Sequence, residues 1–189
     1  TLVRPLTTFG YDDAPIGHAE LVFENCRVPF ENVLLGEGRG FEIAQGRLGP
    51  GRMHHCMRLI GTGQRSLELA CQRAVSRTTF GRPLSKHQSV REDISRMFSE
   101  IEMARLLVLK TCHKIDEQGV PASVDMIAAT KTTVPVVMQS VIDRAIQMHG
   151  AGGLTEDYCM AEGYNYARWC RQADGPDQVH QMALGKQII

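Results

Sequence analysis

"MHHCMRLIGTGQRSLELACQRA", residues 53–74, decides the fold class of this chain. Met53, Met57, Ile60, Leu67, Cys71 and Ala74 recur every three or four residues, with one polar interruption at Gln64. That spacing is one face of an α-helix of about seven turns. Gly61 and Gly63 would each cost it about 1 kcal/mol relative to Ala, which the close approach of a neighbouring helix would offset.

The same period continues downstream. Val90, Ile94, Met97, Ile101, Ala104, Val108, Thr111 and Ile115 mark a second long helix, ended by Gly119-Val120-Pro121. Ser123 is a candidate N-cap for a third, carrying Ile127, Val134, Val141, Ala145 and Met148. Pro135 should kink that helix, because it deletes one backbone hydrogen bond. A glycine-rich loop, "HGAGGLTEDY", then leads to a short helix through Tyr164–Cys170 and a last one from about Gln178. Upstream, residues 41–47 read as a short helix stopping near Gly49, with Pro50 opening the first long one. Long amphipathic helices joined by short turns predict a mainly α, antiparallel four-helix-bundle-type domain.

Residues 1–35 differ. Val3, Leu21, Val22 and Val28 fit short strands, and "GYDDAPIG" reads as the loop between them. Two or three strands make no stable sheet alone. The expected organisation is therefore the end of a larger β-domain over 1–38, followed by the helical domain over 39–189. The chain starts at Thr1 without a signal-peptide layout and reads as part of a longer protein.

Lys plus Arg and Asp plus Glu number 21 each, which gives no electrostatic case for nucleic acid or an anionic membrane. No stretch approaches the roughly 18 apolar residues of a membrane span. Cys26, Cys56, Cys71, Cys112, Cys159 and Cys170 form no CxxC pair and read as small buried thiols of a reducing compartment.

Several groups could carry chemistry. Helix-bundle di-metal sites need Glu-x-x-His on two helices, and no Glu here is followed by His at that spacing. His54, His55 and Cys56 are adjacent, so on a helix they point about 100° apart and cannot all meet one ion. No metal is expected. "GEGRG" and "GAGGLT" lack the strand–helix setting of a dinucleotide fingerprint, yet leave backbone N–H groups near helix ends where a phosphate could sit. "RTTFGRPLSKHQ", residues 77–88, combines Arg77, Phe80 and Gln88 before a helix. That set could hold a nucleotide by charge, stacking and hydrogen bonding, or simply make a turn. "RQADGPDQVH", residues 171–180, places Asp174 and Asp177 around Gly175-Pro176, outside any ordinary helix interior.

Over its whole length the chain resembles the C-terminal part of the acyl-CoA dehydrogenase family of flavoenzymes. "ENCRVPFENVLLGEGRGF" resembles the passage from that family's middle β-domain into its helical domain. "RTTFG" with Gln88 seven residues after Gly81 is similar to its R-x-x-F-G…Q motif, "QMHGAGG" to its glycine-rich loop, and "ADGPDQ" to its catalytic E-G-T-x-Q segment. "RGFEIAQGRLGPGRMHHCMR" is especially similar to the subgroup of family members ten and eleven.

The resemblance implies FAD-dependent α,β-dehydrogenation of an acyl-CoA to a trans-2-enoyl-CoA. A carboxylate takes the α-proton and the β-hydrogen leaves as hydride to flavin N5. The base maps to Asp174, one methylene shorter than the usual Glu, so backbone or substrate must close the gap. Members with the base on the long helix carry it where this chain has Gly51, which cannot ionise. Asp177 is read instead as beginning the last helix, where an acid favours the positive end of the dipole. In the family the enolate oxygen bonds the base residue's own N–H, which a Gly-flanked, non-helical turn leaves free. Burial by acyl chain and flavin would make the carboxylate more basic.

The flavin contacts map to Arg77, Thr79, Phe80, Gln88, Gln147, Gly150, Ala151, Pro176 and Gln178, those from Arg77 to Ala151 serving the partner subunit's FAD. Ala151 replaces a usual Gly. Pro176 replaces a Thr and can bind only by shape. The acyl-CoA contacts map to Gly49, Pro50, Gly51, Arg52 and Gly175, with Arg52 near substrate or a core carboxylate. Asn165-Tyr166 stands where the family often has Arg-Asp, so a structural ion pair is expected to be missing there. The implied partners are acyl-CoA, an electron-transfer flavoprotein and a second or further copy of the chain, as homodimer or homotetramer. The implied setting is intracellular: cytoplasmic in bacteria, mitochondrial or peroxisomal in eukaryotes. An acyl-CoA oxidase of the same fold and a non-catalytic helical oligomerisation module are the alternatives.

Overall fold

The computed structural model describes residues 1–13 and 17–189, which divide into two compact units, Thr1–Leu48 and Gly49–Ile189. In the first unit, β1 (Leu2–Leu6) pairs antiparallel with β2 (His18–Leu21), Leu6 opposite His18 and Leu2 opposite Leu21. Val22 and Val28, expected in strands, lie outside them. The expected loop over 10–17 includes 14–16, which lie outside the described residues. Phe23 and Phe30 are largely exposed.

Five helices are found among the described residues: α1 (Gly40–Ser76), α2 (Gln88–Gln118), α3 (Val124–His149), α4 (Met160–Cys170) and α5 (Asp177–Ile188). The expected break before Pro50 does not occur, and α1 runs through it. A proline removes one rung, at the carbonyl four residues earlier. Here both Gly46 and Pro50 are exposed, so water can satisfy that carbonyl. α3 likewise continues through Pro135. α4 starts one turn before the predicted Tyr164.

α2 packs on α3, and α3 on α4 and α5. The core gathers Leu59 and Ile60 from α1, Met97, Ile101 and Val108 from α2, Met138, Val141 and Ile142 from α3, and Met160 and Ala167 from α4. Each large apolar side chain buried in this way contributes about 1.5–3 kcal/mol. One of the stripe's glycines permits close helix approach, since a Cβ on Gly63 would lie 2.7 Å from Met138 Sδ; Gly49, ahead of the stripe, makes room for the loop after α2, where its Cβ would lie 2.7 Å from Val120 Cγ1. Gly61 is different, with no atom within 4 Å of its would-be Cβ. It faces outward, and its helix cost has no packing offset.

α1 and α2 are joined by a tight hairpin, β3 (Thr78–Thr79) with β4 (Arg82–Pro83), whose tip residues Phe80 and Gly81 have φ of 50° and 77°. Gly119 ends α2 at φ 79°. Ser123 stands at the N-cap of α3, but its hydroxyl donates back to the Gly119 carbonyl at 2.8 Å and caps nothing. Only Cys56 and Cys170 of the six thiols are buried; Cys26 and Cys159 are exposed, which corrects the uniform expectation. No described helix is long and apolar enough to cross a membrane.

Candidate active site

The short turn between α4 and α5 carries the candidate base. Asp174 adopts φ +57° and Gly175 φ +105°. Asp is among the few side chains that tolerate the left-handed region, at a cost of about 1–2 kcal/mol. A Cβ on Gly175 would press on His180 Nε2 at 3.0 Å, so both space and backbone require glycine there.

Arg52, His180 and Lys131 hold this strained turn by its carbonyls. Arg52, on α1, donates to the Asp174 carbonyl from Nη2 at 2.8 Å and Nε at 3.2 Å. His180 Nε2 lies 3.1 Å from the same oxygen. Lys131, on α3, donates to the Gly175 carbonyl and, at 3.4 Å, to that of Arg171. Burial pulls the Lys131 ammonium below its ordinary pKa, against the opposing pull of Asp177. Arg52 and His180 are also shifted down by burial.

Asp177 opens α5 as expected, but it does not cap the helix. Its carboxylate is buried, 2.8 Å from Arg171 Nε and 3.7 Å from Lys131 Nζ. The two aspartates are thereby separated: Asp177 is the counter-ion of the turn, and Asp174 carries the uncommitted carboxylate. Asp174 Oδ2 is buried without a hydrogen-bond partner, 3.7 Å from His55 Nε2. Among the described residues, the turn's backbone donors that find a carbonyl are Arg171, Gln172, Ala173 and Asp177, which leaves the Asp174 N–H available.

His55 belongs to an aromatic cluster that sequence reasoning passed over. Its Nδ1 is 2.6 Å from the Tyr166 hydroxyl, Tyr166 stacks on Trp169 at 5.5 Å, and Trp169 meets His55 edge-on at 5.4 Å. Tyr166 therefore makes its own tie to α1 at the position where an ion pair was expected to be missing. Two signals were readable: His55 follows Arg52 by three residues, hence shares its helix face, and Lys131 interrupts the apolar stripe between Ile127 and Val134. His54 is exposed and Cys56 bonds toward the Thr130 carbonyl, so the three neighbours diverge. Among the described residues no cluster of three or more His, Cys, Asp or Glu could hold a metal ion.

The structure brings together Arg52, Asp174 and Gly175 from the predicted set. Gly49 and Gly51 are buried in the same stretch of α1, and Pro50 lines a cleft of about 310 Å³ with Met53, His54, Met57, Val108 and Cys112. Pro176 is the N-cap of α5, and Gln178 is exposed in its first turn. The hairpin stands apart. Phe80 is 98% exposed at its tip, Arg77 is exposed at its base, and Gln88 starts α2 with its amide 2.7 Å from Glu92. Thr79 is half-buried, while Gln147, Gly150 and Ala151 are exposed at the end of α3. Among the described residues these groups make no hydrogen bond or ion pair to the Asp174 turn.

Residues 38–189 match the family described as "Acyl-CoA dehydrogenase, C-terminal domain". This chain belongs to the acyl-CoA dehydrogenase family. It is 54% identical over 186 residues to acyl-CoA dehydrogenase family member 10 of Mus musculus, an alignment covering 98% of this chain and 17% of that protein. Butyryl-CoA dehydrogenase from Megasphaera elsdenii superposes with a TM-score of 0.81 at 34% identity, over 90% of this chain and 44% of that one. A chain in the electron-transferring flavoprotein structure from Acidaminococcus fermentans superposes at 0.82 with 32% identity, over 90% and 44%. The chain thus spans less than half the length of each of these relatives.

Proposed function

We propose that the chain is part of an FAD-dependent acyl-CoA dehydrogenase in which Asp174 abstracts the α-proton of the acyl-CoA. The observation that carries this reading is the division of labour in the turn. Arg52 and His180 bind the Asp174 backbone carbonyl, while its carboxylate is left without a strong donor. A carboxylate that no cation ties down by a hydrogen bond can take a proton, provided it is held within hydrogen-bond reach. The pinned αL backbone supplies the holding. Gly51, buried on α1, has no group to offer in its place.

The α-proton of a thioester is very weakly acidic, so the developing enolate oxygen needs a donor. The free Asp174 N–H is the group available for it. Arg52, with Gly49, Pro50 and Gly51, would shape the acyl-CoA side of the site, and Gly175 would let the substrate approach the turn.

The hairpin fits an FAD held across a subunit boundary. A fully exposed Phe80 on a two-residue turn, beside Arg77 and ahead of Gln88, is an aromatic, a cation and an amide on one exposed segment. Thr79 and the Gln147–Ala151 segment would add contacts there, and Pro176 and Gln178 would face the other copy's flavin. Bound FAD would supply the acceptor for the β-hydride. A homodimer or homotetramer and reoxidation by an electron-transfer flavoprotein follow from the same reading, as does residence of the helical domain in residues 39–189. The test is a panel of acyl-CoA esters with a dye acceptor on the full-length protein. Yellow protein with acyl-CoA-dependent dye reduction supports the reading. Colourless protein points to an oligomerisation module, and peroxide formation without dye to an oxidase.

A further inference from the structure

We propose that His55 is the positioning residue for the Asp174 carboxylate, fixed in its tautomer by Tyr166. The proposal rests on the reading of Asp174 as base. Three observations converge on it. Asp174 Oδ2 is buried and has no hydrogen-bond partner, and a buried acceptor in that state is costly. The group facing it is His55 Nε2, 3.7 Å away, just beyond hydrogen-bond length. The opposite ring nitrogen, Nδ1, is 2.6 Å from the Tyr166 hydroxyl, and Trp169 closes the ring's flank. With the Tyr166 O–H donating to Nδ1 rather than to the neighbouring Cys170 thiol, the ring proton sits on Nε2 and points at Oδ2.

The backbone of Asp174 cannot do this aiming alone. Arg52 and His180 fix its carbonyl, so the short side chain has only its own torsions left to place the carboxylate. An N–H on Oδ2 selects one orientation and leaves Oδ1 to meet the α-proton. Misplacing a reacting group by about 1 Å can cost roughly 100-fold in rate. His55 thereby acts through Asp174, without touching substrate.

The experiment uses the full-length flavoprotein. Flavin bleaching is followed after rapid mixing with an acyl-CoA that reduces the wild type. His55→Ala should slow bleaching at saturating substrate by roughly 10- to 100-fold, with flavin content and half-saturation unchanged. His55→Gln, whose amide N–H reaches toward the same oxygen, should restore the rate to within a few-fold of wild type. Tyr166→Phe should fall between them. A second readout needs no turnover. An acyl-CoA with sulfur at the β position has an acidic α C–H and no β-hydrogen to lose, so its anion gives a long-wavelength band with oxidised flavin. That band should weaken in His55→Ala and return in His55→Gln.

The proposal is overturned if His55→Ala matches wild type in both readouts, or if His55→Gln is no better than His55→Ala. Should His55→Ala not retain flavin, Tyr166→Phe and His55→Gln decide alone: wild-type behaviour of Tyr166→Phe overturns the tautomer argument. Asp174→Asn separates the two levels. If it bleaches normally, the base assignment is wrong; if it is inactive while the His55 and Tyr166 variants behave as wild type, only the His55 role is.

Discussion

Lys131→Met tests whether the α4–α5 turn is held electrostatically. Methionine has similar length and no charge, so the volume is kept and the ammonium is removed. The Lys131 and Asp177 side chains are 4% and 7% exposed. Removing one partner of a buried pair costs about 3–5 kcal/mol. Asp177 keeps Arg171 at 2.8 Å, but a third of the Arg171 side chain is in water, so that remaining partner is partly screened. The Gly175 and Arg171 carbonyls also lose a donor, while Lys131 no longer has to be desolvated. The balance is a loss of about 2–4 kcal/mol. At roughly 3 °C per kcal/mol for a unit of this size, the helical domain of the full-length protein should melt about 6–12 °C lower in calorimetry. Asp177→Asn, added to Lys131→Met, removes the charge left behind and should recover part of that loss. A Lys131→Met protein melting within about 1 °C of wild type would refute the reasoning, as would simple additivity in the double variant.

Gly163→Ala should destabilise by about 1–3 kcal/mol, because its Cβ would lie 2.5 Å from Thr62 Cγ2. Thr62→Ala deletes that methyl and should rescue it, read in the same melts. Burial keeps His180 below its ordinary pKa, so the unfolded chain takes up that proton first. Its contribution to stability is complete above about pH 6.5 and is lost as pH falls through the folded value. His180→Gln should therefore lose less melting temperature than wild type between about pH 7.5 and 5.5. Cys56 and Cys170, both pushed up to about 12 by burial, should resist a thiol reagent in the native protein and react after unfolding.

Helical periodicity made most of the fold legible. The stripe from Met53 to Ala74 became α1, and Gly119 and Gly150 ended the next two helices where the sequence placed them. The break at Pro50 failed because a missing N–H costs little where both it and its would-be acceptor face water. Asp174 was legible through its Asp-Gly turn and its family resemblance. His180 was not, and the signals at His55 and Lys131 did not name their partners, because all three meet Asp174 or its turn only through tertiary packing of α1, α3 and α5. Local spacing does not report which carbonyl a buried cation will find. Asp177 was misjudged for the same reason: a first-turn acid reads as a helix-dipole partner, whereas its depth makes it a counter-ion.

The most direct test of the central claim is flavin bleaching by acyl-CoA in full-length Asp174→Asn. Asparagine keeps the size of the side chain, tolerates φ +57° and retains the carbonyl that Arg52 and His180 bind. The variant should therefore keep its flavin and its melting temperature, while bleaching falls at least about 100-fold, the scale of a lost general base. Near-normal bleaching would show that another group takes the α-proton.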